Sequence, residues 1–199
     1  MYSDLTKGLN MLFTITILSS LCSVLCIIPG ISIIGGIGAI VCYVCEVISI
    51  RKISNDLDDA FPSFILIFVA LGVSFLKTIG IFPTFNAILV NVALFFITYF
   101  ICKATATEFG LVDEKKLEKF GNTVWKISLV VTVLTIVNTI LQSLNPAINF
   151  KIIFPFILLG VSIVYTIFYV IYLKSAAKEF DRIELERLKA KADKGLYGE

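Results

Sequence analysis

Ile31-Ser-Ile-Ile-Gly-Gly-Ile-Gly-Ala-Ile-Val-Cys-Tyr-Val-Cys-Glu-Val-Ile-Ser-Ile50, followed at once by Arg51-Lys52, is the stretch on which the fold turns. One carboxylate, Glu46, interrupts a run otherwise made of apolar and small residues. A helix of about 20 such residues, rising about 1.5 Å each, crosses a hydrocarbon layer of about 30 Å. Pro29-Gly30 breaks the chain just before it, and residues 9–28 upstream are equally apolar. Working outward, the same reading applies to residues 61–82, 85–102, 127–144 and 152–173. The expected fold is therefore all-α, an integral membrane bundle of six transmembrane helices arranged as three hairpins.

Composition agrees with that reading. The 199 residues are 58% hydrophobic and 16% charged, with a mean hydropathy of +0.95. A soluble domain has roughly 45–50% apolar residues. The longest stretches outside the spans are residues 103–126 and the tail 174–199, and neither is large enough to bury its own soluble core. A single membrane domain, 1–199, with a helical cytoplasmic tail accounts for the chain.

The distribution of charge sets the expected topology. If the spans alternate, one face receives the amino terminus, the 51–60 and 103–126 links and the tail. That face collects every one of the 17 Lys and Arg except Lys77 and Lys151. Basic residues in short links mark the cytoplasmic side, so both termini are expected there, in a plasma-membrane protein. The opposite links are short, Pro29-Gly30, Pro83-Thr84 and a stretch around Asn145-Pro146, and leave no extracytoplasmic domain. The first span exceeds the core of a signal peptide, about 7–15 residues, and lacks a small-x-small cleavage site. It should remain in place.

Cys22, Cys26, Cys42, Cys45 and Cys102 all fall within spans, and histidine is absent. Helical rise places Cys22/Cys26 and Cys42/Cys45 at different depths, too far apart for one tetrahedral site with metal–sulfur bonds of about 2.3 Å. Small packing residues are the expectation, with neither metal, disulfide framework nor cofactor.

The three inward-running helices end alike. Arg51-Lys-Ile-Ser54-Asn-Asp56-Leu57, Lys103-Ala-Thr-Ala106-Thr-Glu108-Phe109 and Lys174-Ser-Ala-Ala177-Lys-Glu179-Phe180 share basic-x-x-small-x-acid-apolar. Carried backward, the register aligns Ala39, Asn91 and Ser162, and then Glu46, Thr98 and Tyr169. Residues seven apart share a helical face. Two explanations compete: three parallel hairpin repeats, or the common habit of helices to enter the cytoplasm through basic residues.

Small or polar stripes run along the spans. The second span carries Gly35, Ala39, Cys42, Glu46 and Ser49. The fifth carries Ser128, Thr132, Thr135, Thr139 and Gln142, with Asn138 alongside; the sixth aligns Tyr165, Tyr169 and Tyr172. Such residues let helices approach and hydrogen-bond across lipid-free seams. The alternative is a hydrated path lined by the fifth helix, Glu46, Asn91 and Tyr169. Glu46 and Lys77 are the ionisable residues well inside spans, where charge is costly and functional by default. Their depths differ too much for direct pairing. Lys77 can snorkel to the outer surface, whereas Glu46 should face the bundle, closed by a neighbouring Tyr or Ser or linked to a proton or cation.

From Val161 to Lys194 there is neither Gly nor Pro, so the sixth helix should project past the membrane until Gly195, steadied by Glu184/Arg187 and Glu186/Lys189. Residues 103–120, with Phe109, Leu117 and Phe120 among charges, read as an amphipathic piece for headgroups or a partner, or as a solvated connector.

Catalytic signatures are missing. Gly72-Val-Ser74 and Gly160-Val-Ser162 lie in spans without any histidine to serve as base. No Walker A, Rossmann or H-E-x-x-H pattern occurs, and no basic aromatic patch suits nucleic acid.

Ile27-Ile-Pro29-Gly30, Gly35-Gly36-Ile-Gly38 and Lys52-Ile-Ser54 make the first hairpin resemble a family of uncharacterised small polytopic prokaryotic membrane proteins. In them a Pro/Gly turn links two spans, followed by a similar Lys-Ile-Ser exit. The resemblance covers about a third of the chain and implies a membrane hairpin but no activity. The 103–126 segment and the tail are longer here. A non-enzymatic pore or carrier for an ion or small solute, in a lipid bilayer and as an oligomer, is the leading expectation. The competing one is an accessory or immunity-type subunit whose cytoplasmic helices engage a protein partner.

Overall fold

A computed structural model describes residues 2–27, 31–144 and 148–196. It consists of α1 (Ser3–Ile27), α2 (Ser32–Asp56), α3 (Phe61–Thr78), α4 (Pro83–Leu111), α5 (Lys115–Ser143) and α6 (Ile148–Leu196), plus a 3-10 turn at Asp58–Ala60. No strand occurs among the described residues. Among the described residues, six helices are long and apolar enough to cross a membrane. The chain is all-α and of multi-pass membrane type. Two of the short links expected from the sequence, Pro29-Gly30 and Asn145-Pro146, lie outside the described residues.

Several helices outrun their apolar windows. α1 starts at Ser3, ahead of the first apolar window. The 103–126 segment is not a loop: α4 continues to Leu111 and α5 begins at Lys115, leaving a turn at Val112, Asp113 and Glu114. Asp113 takes a left-handed φ of 61°, a conformation that Asp tolerates better than most residues. α6 runs through Gly195 to Leu196, so that glycine does not end it.

The α3–α4 corner also departs from the sequence reading. α3 stops at Thr78, and the link is Ile79–Phe82 with Gly80 at φ 82° and Phe82 at φ 41°. Pro83 and Thr84 are not the link but the first turn of α4, where proline's fixed φ suits the helix start. Lys77 thus occupies the last turn of α3, where a cation complements the helix dipole.

The chain packs as two compact units, residues 1–58 with 173–199, and residues 59–172. In the first, α1 lies along α2. Gly35 makes the approach possible: a Cβ there would sit 2.8 Å from the Cys26 backbone nitrogen. Leu5, Leu9, Ile50, Ile53, Leu173, Ala176 and Phe180 are buried. The start of α1 has free N–H groups, and remote carboxylates take them up. The Leu5 N–H donates to Asp56 Oδ2 at 2.8 Å, and the Tyr2 N–H donates to Glu184 Oε2 at 2.5 Å. The Tyr2 ring packs on Phe180, with the Arg187 guanidinium 4.8 Å from its centre. Farther along α6, Arg182 pairs with both Glu179 and Glu186.

In the second unit α4 packs against both α3 and α5. The Ser63 hydroxyl donates to the Ile97 carbonyl at 3.2 Å, tying α3 to α4. Thr98 and Tyr165 hydroxyls meet at 3.3 Å, and Thr105 and Tyr172 hydroxyls meet at 2.6 Å. α5 supplies Ser128 beside the Tyr165 hydroxyl and Gly121 beside that of Tyr172. The α4 and α6 positions rise together while those of α5 fall, so α4 and α6 run parallel and α5 antiparallel. Phe120 packs edge-on against Tyr172 at 5.5 Å, and Tyr99 against Trp125 at 5.2 Å.

Candidate functional site

Polar side chains gather at the end of the second unit where α3 stops and α4 starts. Lys77, Thr84, Asn138, Thr139, Gln142 and Ser143 line a cleft of about 400 Å³. Three helices place them. α3 contributes its last-turn lysine, α4 its first turn, and α5 the residues at successive turns near its C-terminal end. The polar stripe foreseen on the fifth helix thus opens onto space at Asn138, Thr139 and Gln142.

Hydroxyls in the cleft are ordered into a chain. Thr139 donates to the Thr135 carbonyl and Ser143 donates to the Thr139 carbonyl, both at 2.9 Å. The Ser143 proton being spent, Thr84 donates across to Ser143 at 3.1 Å. These hydroxyls present lone pairs to the cleft and no spare protons. The donors left are the Lys77 ammonium and the Gln142 and Asn138 amides. Asn138 Oδ1 is buried without a hydrogen-bond partner, an expensive arrangement for a carbonyl oxygen.

The remaining candidates go elsewhere. Ser128 is buried at the Tyr165 hydroxyl. Thr135 returns its hydroxyl to the Val131 carbonyl, and Asn91 Nδ2 donates to the Ala87 carbonyl at 2.8 Å. Thr132 is half-buried on α5. Tyr169 stacks on Tyr165 with ring centres 5.8 Å apart. Across the α4–α6 seam Thr98 meets Tyr165. Glu46 belongs to the first unit, on the face of α2 that carries buried Cys42 and Ser49. It is half-buried, and Ser49 on the same face donates to the Cys45 carbonyl.

Cys22 lies against the backbone of α2. Gly38 is the reason: a Cβ there would fall 2.6 Å from Cys22 Sγ, so the bare backbone leaves room for the thiol beside α2. Among the described residues no three His, Cys, Asp or Glu side chains are grouped to hold a metal ion.

Lys77 is the member of the cleft that the fifth-helix stripe could not reveal. The signal was present in the sequence: Gly80 and Pro83 bracket a helix end just after Lys77, which puts the lysine at the level of the α4 start.

No family model, curated protein or solved structure matches this chain.

Proposed function

We propose that the protein is a non-enzymatic pore or carrier for an ion or small solute in the plasma membrane, with both termini cytoplasmic. The cleft carries this reading: a lysine, two amides and a run of hydroxyls meet at one end of the second unit. Polar groups in a membrane protein face its interior or a water-filled cavity, and Gln142, Thr135 and Thr132 continue along α5 toward the middle of the span. Glu46 would serve as a second, proton- or cation-linked station in the other unit. Pairing of α1 with α2 and of α3 with α4 fits a hairpin arrangement. Trp125 beside Lys126 fits an interfacial anchor on the basic face.

Single cysteines at Thr132, Thr135 and Gln142, in a background lacking the native cysteines, test the path. Reaction of all three with water-borne reagents is expected; complete protection of all three overturns it. Tags at the two ends, read by protease protection, must report one compartment.

A second reading rests on α6. Its 49 residues are far more than a bilayer needs, and Leu185 and Leu188 are exposed on its distal part. This stretch would engage a partner protein, as an accessory or immunity-type subunit does. Deleting residues 183–199 should then abolish co-purification of the partner while insertion survives.

A further inference from the structure

The α1–α2 hairpin brings together two sulfurs and a carboxylate. α1 and α2 run antiparallel, since Gly35 lies against Cys26, Gly38 against Cys22, and Gly8 against Ser49 and Ile53. Cys22 Sγ sits 2.6 Å from where a Gly38 Cβ would be, filling the space of the missing side chain. Cys42 follows Gly38 by one turn on the same face of α2, and it is buried. Cβ positions four residues apart on a helix are about 5–6 Å from each other. A helical side chain leans toward the start of its own helix. In an antiparallel pair this tilts Cys42 toward the Gly38 turn and Cys22 toward the Cys42 turn, so the two thiols converge. Glu46 stands one turn farther along and leans back over Cys42. Cys22, Cys45 and Glu46 are titratable neighbours of the Cys42 thiol.

Close packing of α1 on α2 asks only for small residues, and alanine would supply them with better helix propensity. Thiols bring chemistry that packing does not use, because a pair can release two electrons and two protons. The thiolate is the reacting species, and a carboxylate beside a thiol can take its proton. Leu21 and Val41, which precede the two cysteines, are exposed on the apolar surface of the hairpin. An oxidant that reaches the pair must therefore dissolve in lipid.

We propose that Cys22 and Cys42 are a redox pair, oxidised to a disulfide across the α1–α2 hairpin by a lipid-soluble quinone, with Glu46 accepting the Cys42 proton. Two S–H bonds break and one S–S bond forms. Two electrons and two protons pass to the quinone and leave a hydroquinone, Glu46 holding one of the protons in transit. All five cysteines are free in the structure, which is thus the reduced form. Closure draws α1 along α2 by part of a turn, over backbone that Gly35 and Gly38 leave bare. The pair works whether or not a solute passes along α5, and its test is separate from the accessibility test of the path.

The full chain in lipid nanodiscs, reduced and then freed of reductant, is exposed to excess short-chain ubiquinone. After denaturation, its free thiols are counted by maleimide labelling and mass spectrometry, and linked peptides are mapped. Oxidation should remove two of the five thiols and yield a Cys22–Cys42 linked peptide. Cys26→Ser combined with Cys45→Ser should leave the reaction intact, whereas Cys22→Ser or Cys42→Ser should abolish it. Glu46→Gln should slow it at least tenfold, with helix content unchanged by circular dichroism. Glu46→Asp, one methylene shorter, should give an intermediate rate, and it decides alone should Glu46→Gln fail to fold. Full retention of the thiols, a disulfide between other cysteines, or an unchanged rate in the Glu46 variants overturns the proposal.

Discussion

The hydroxyls of Thr105 and Tyr172 lie 2.6 Å apart, fully buried, and the pairing recurs one heptad earlier on both helices as Thr98 and Tyr165 at 3.3 Å. Two rungs on the same faces fix the register of α4 against α6. Thr105 also donates locally, its hydroxyl lying 2.8 Å from the Ile101 carbonyl. With that proton spent on the backbone, Tyr172 is the donor across the seam.

Thr105→Val leaves the Tyr172 hydroxyl buried without an acceptor, and a loss of about 1–3 kcal/mol is expected. Tyr172→Phe should cost less, because Thr105 keeps its backbone bond. The double variant gives the coupling, expected at about 0.5–1.5 kcal/mol by analogy with interhelical bonds in other membrane proteins. Reversible unfolding in mixed micelles measures it. A coupling of zero would mean that the rung does not brace the two helices.

Gly121→Ala inserts a Cβ 2.5 Å from the Tyr172 hydroxyl and 3.1 Å from Ala106 Cβ. Overpacking of this kind costs about 1–3 kcal/mol. Removing the hydroxyl by Tyr172→Phe in the same chain should recover part of that loss, a non-additivity that separates a steric clash from a helix-propensity effect, because propensity alone favours alanine.

The start of α1 should loosen in acid. Donors at the amino terminus, the Tyr2 N–H among them, hold the Glu184 carboxyl below its ordinary value of 4.5, with help from Arg187. A carboxyl depressed in the folded chain contributes stability above its unfolded pKa and loses it as pH falls through the folded one. Protection of the first-turn amides of α1, taken relative to their intrinsic exchange rates, should therefore fall below about pH 4.5, and Glu184→Gln should remove most of that pH dependence. Asp56→Asn keeps an acceptor for the Leu5 N–H and should be mild, whereas Asp56→Ala should cost about 0.5–2 kcal/mol.

Asp113→Val places a β-branched residue at φ 61° in the α4–α5 turn. A cost of about 1–2 kcal/mol is expected, with Asp113→Asn close to neutral and Asp113→Gly neutral or slightly stabilising. Thermal unfolding of the three variants in one detergent ranks them. Equal values for all three would mean that the turn relaxes.

Most of the architecture could be read from the chain, because a hydrocarbon layer imposes a length and an apolar content that few other structures share. The second span, residues 31–50, falls almost wholly within α2 for that reason. Helix ends were harder. Residues 103–126 read as a link because they are charged, yet charge does not stop a helix, and Ala104, Ala106, Leu117 and Lys119 all favour one. The α3–α4 corner was misplaced for the opposite reason: Ile79, Ile81 and Phe82 are apolar enough to extend the span, while Gly80 had already ended the helix. Of the candidate site, the α5 stripe was visible as periodicity within one segment. The joining of Lys77 to Asn138 was not, since it depends on where one helix ends relative to another. Glu46 stood out by rarity, and rarity says nothing about neighbours.

Extending the ladder by another heptad reaches Asn91 on α4, Thr135 on α5 and Leu158 on α6. Asn91 and Thr135 turn their polar groups back onto their own backbones, and leucine has none to offer. The ladder between α4 and α6 therefore stops partway along the span, and the far half keeps the Thr84–Ser143 hydroxyl pair between α4 and α5. That half is where the three helices should splay first, so amide exchange around Asn91 and Thr135 should outpace exchange around Thr105.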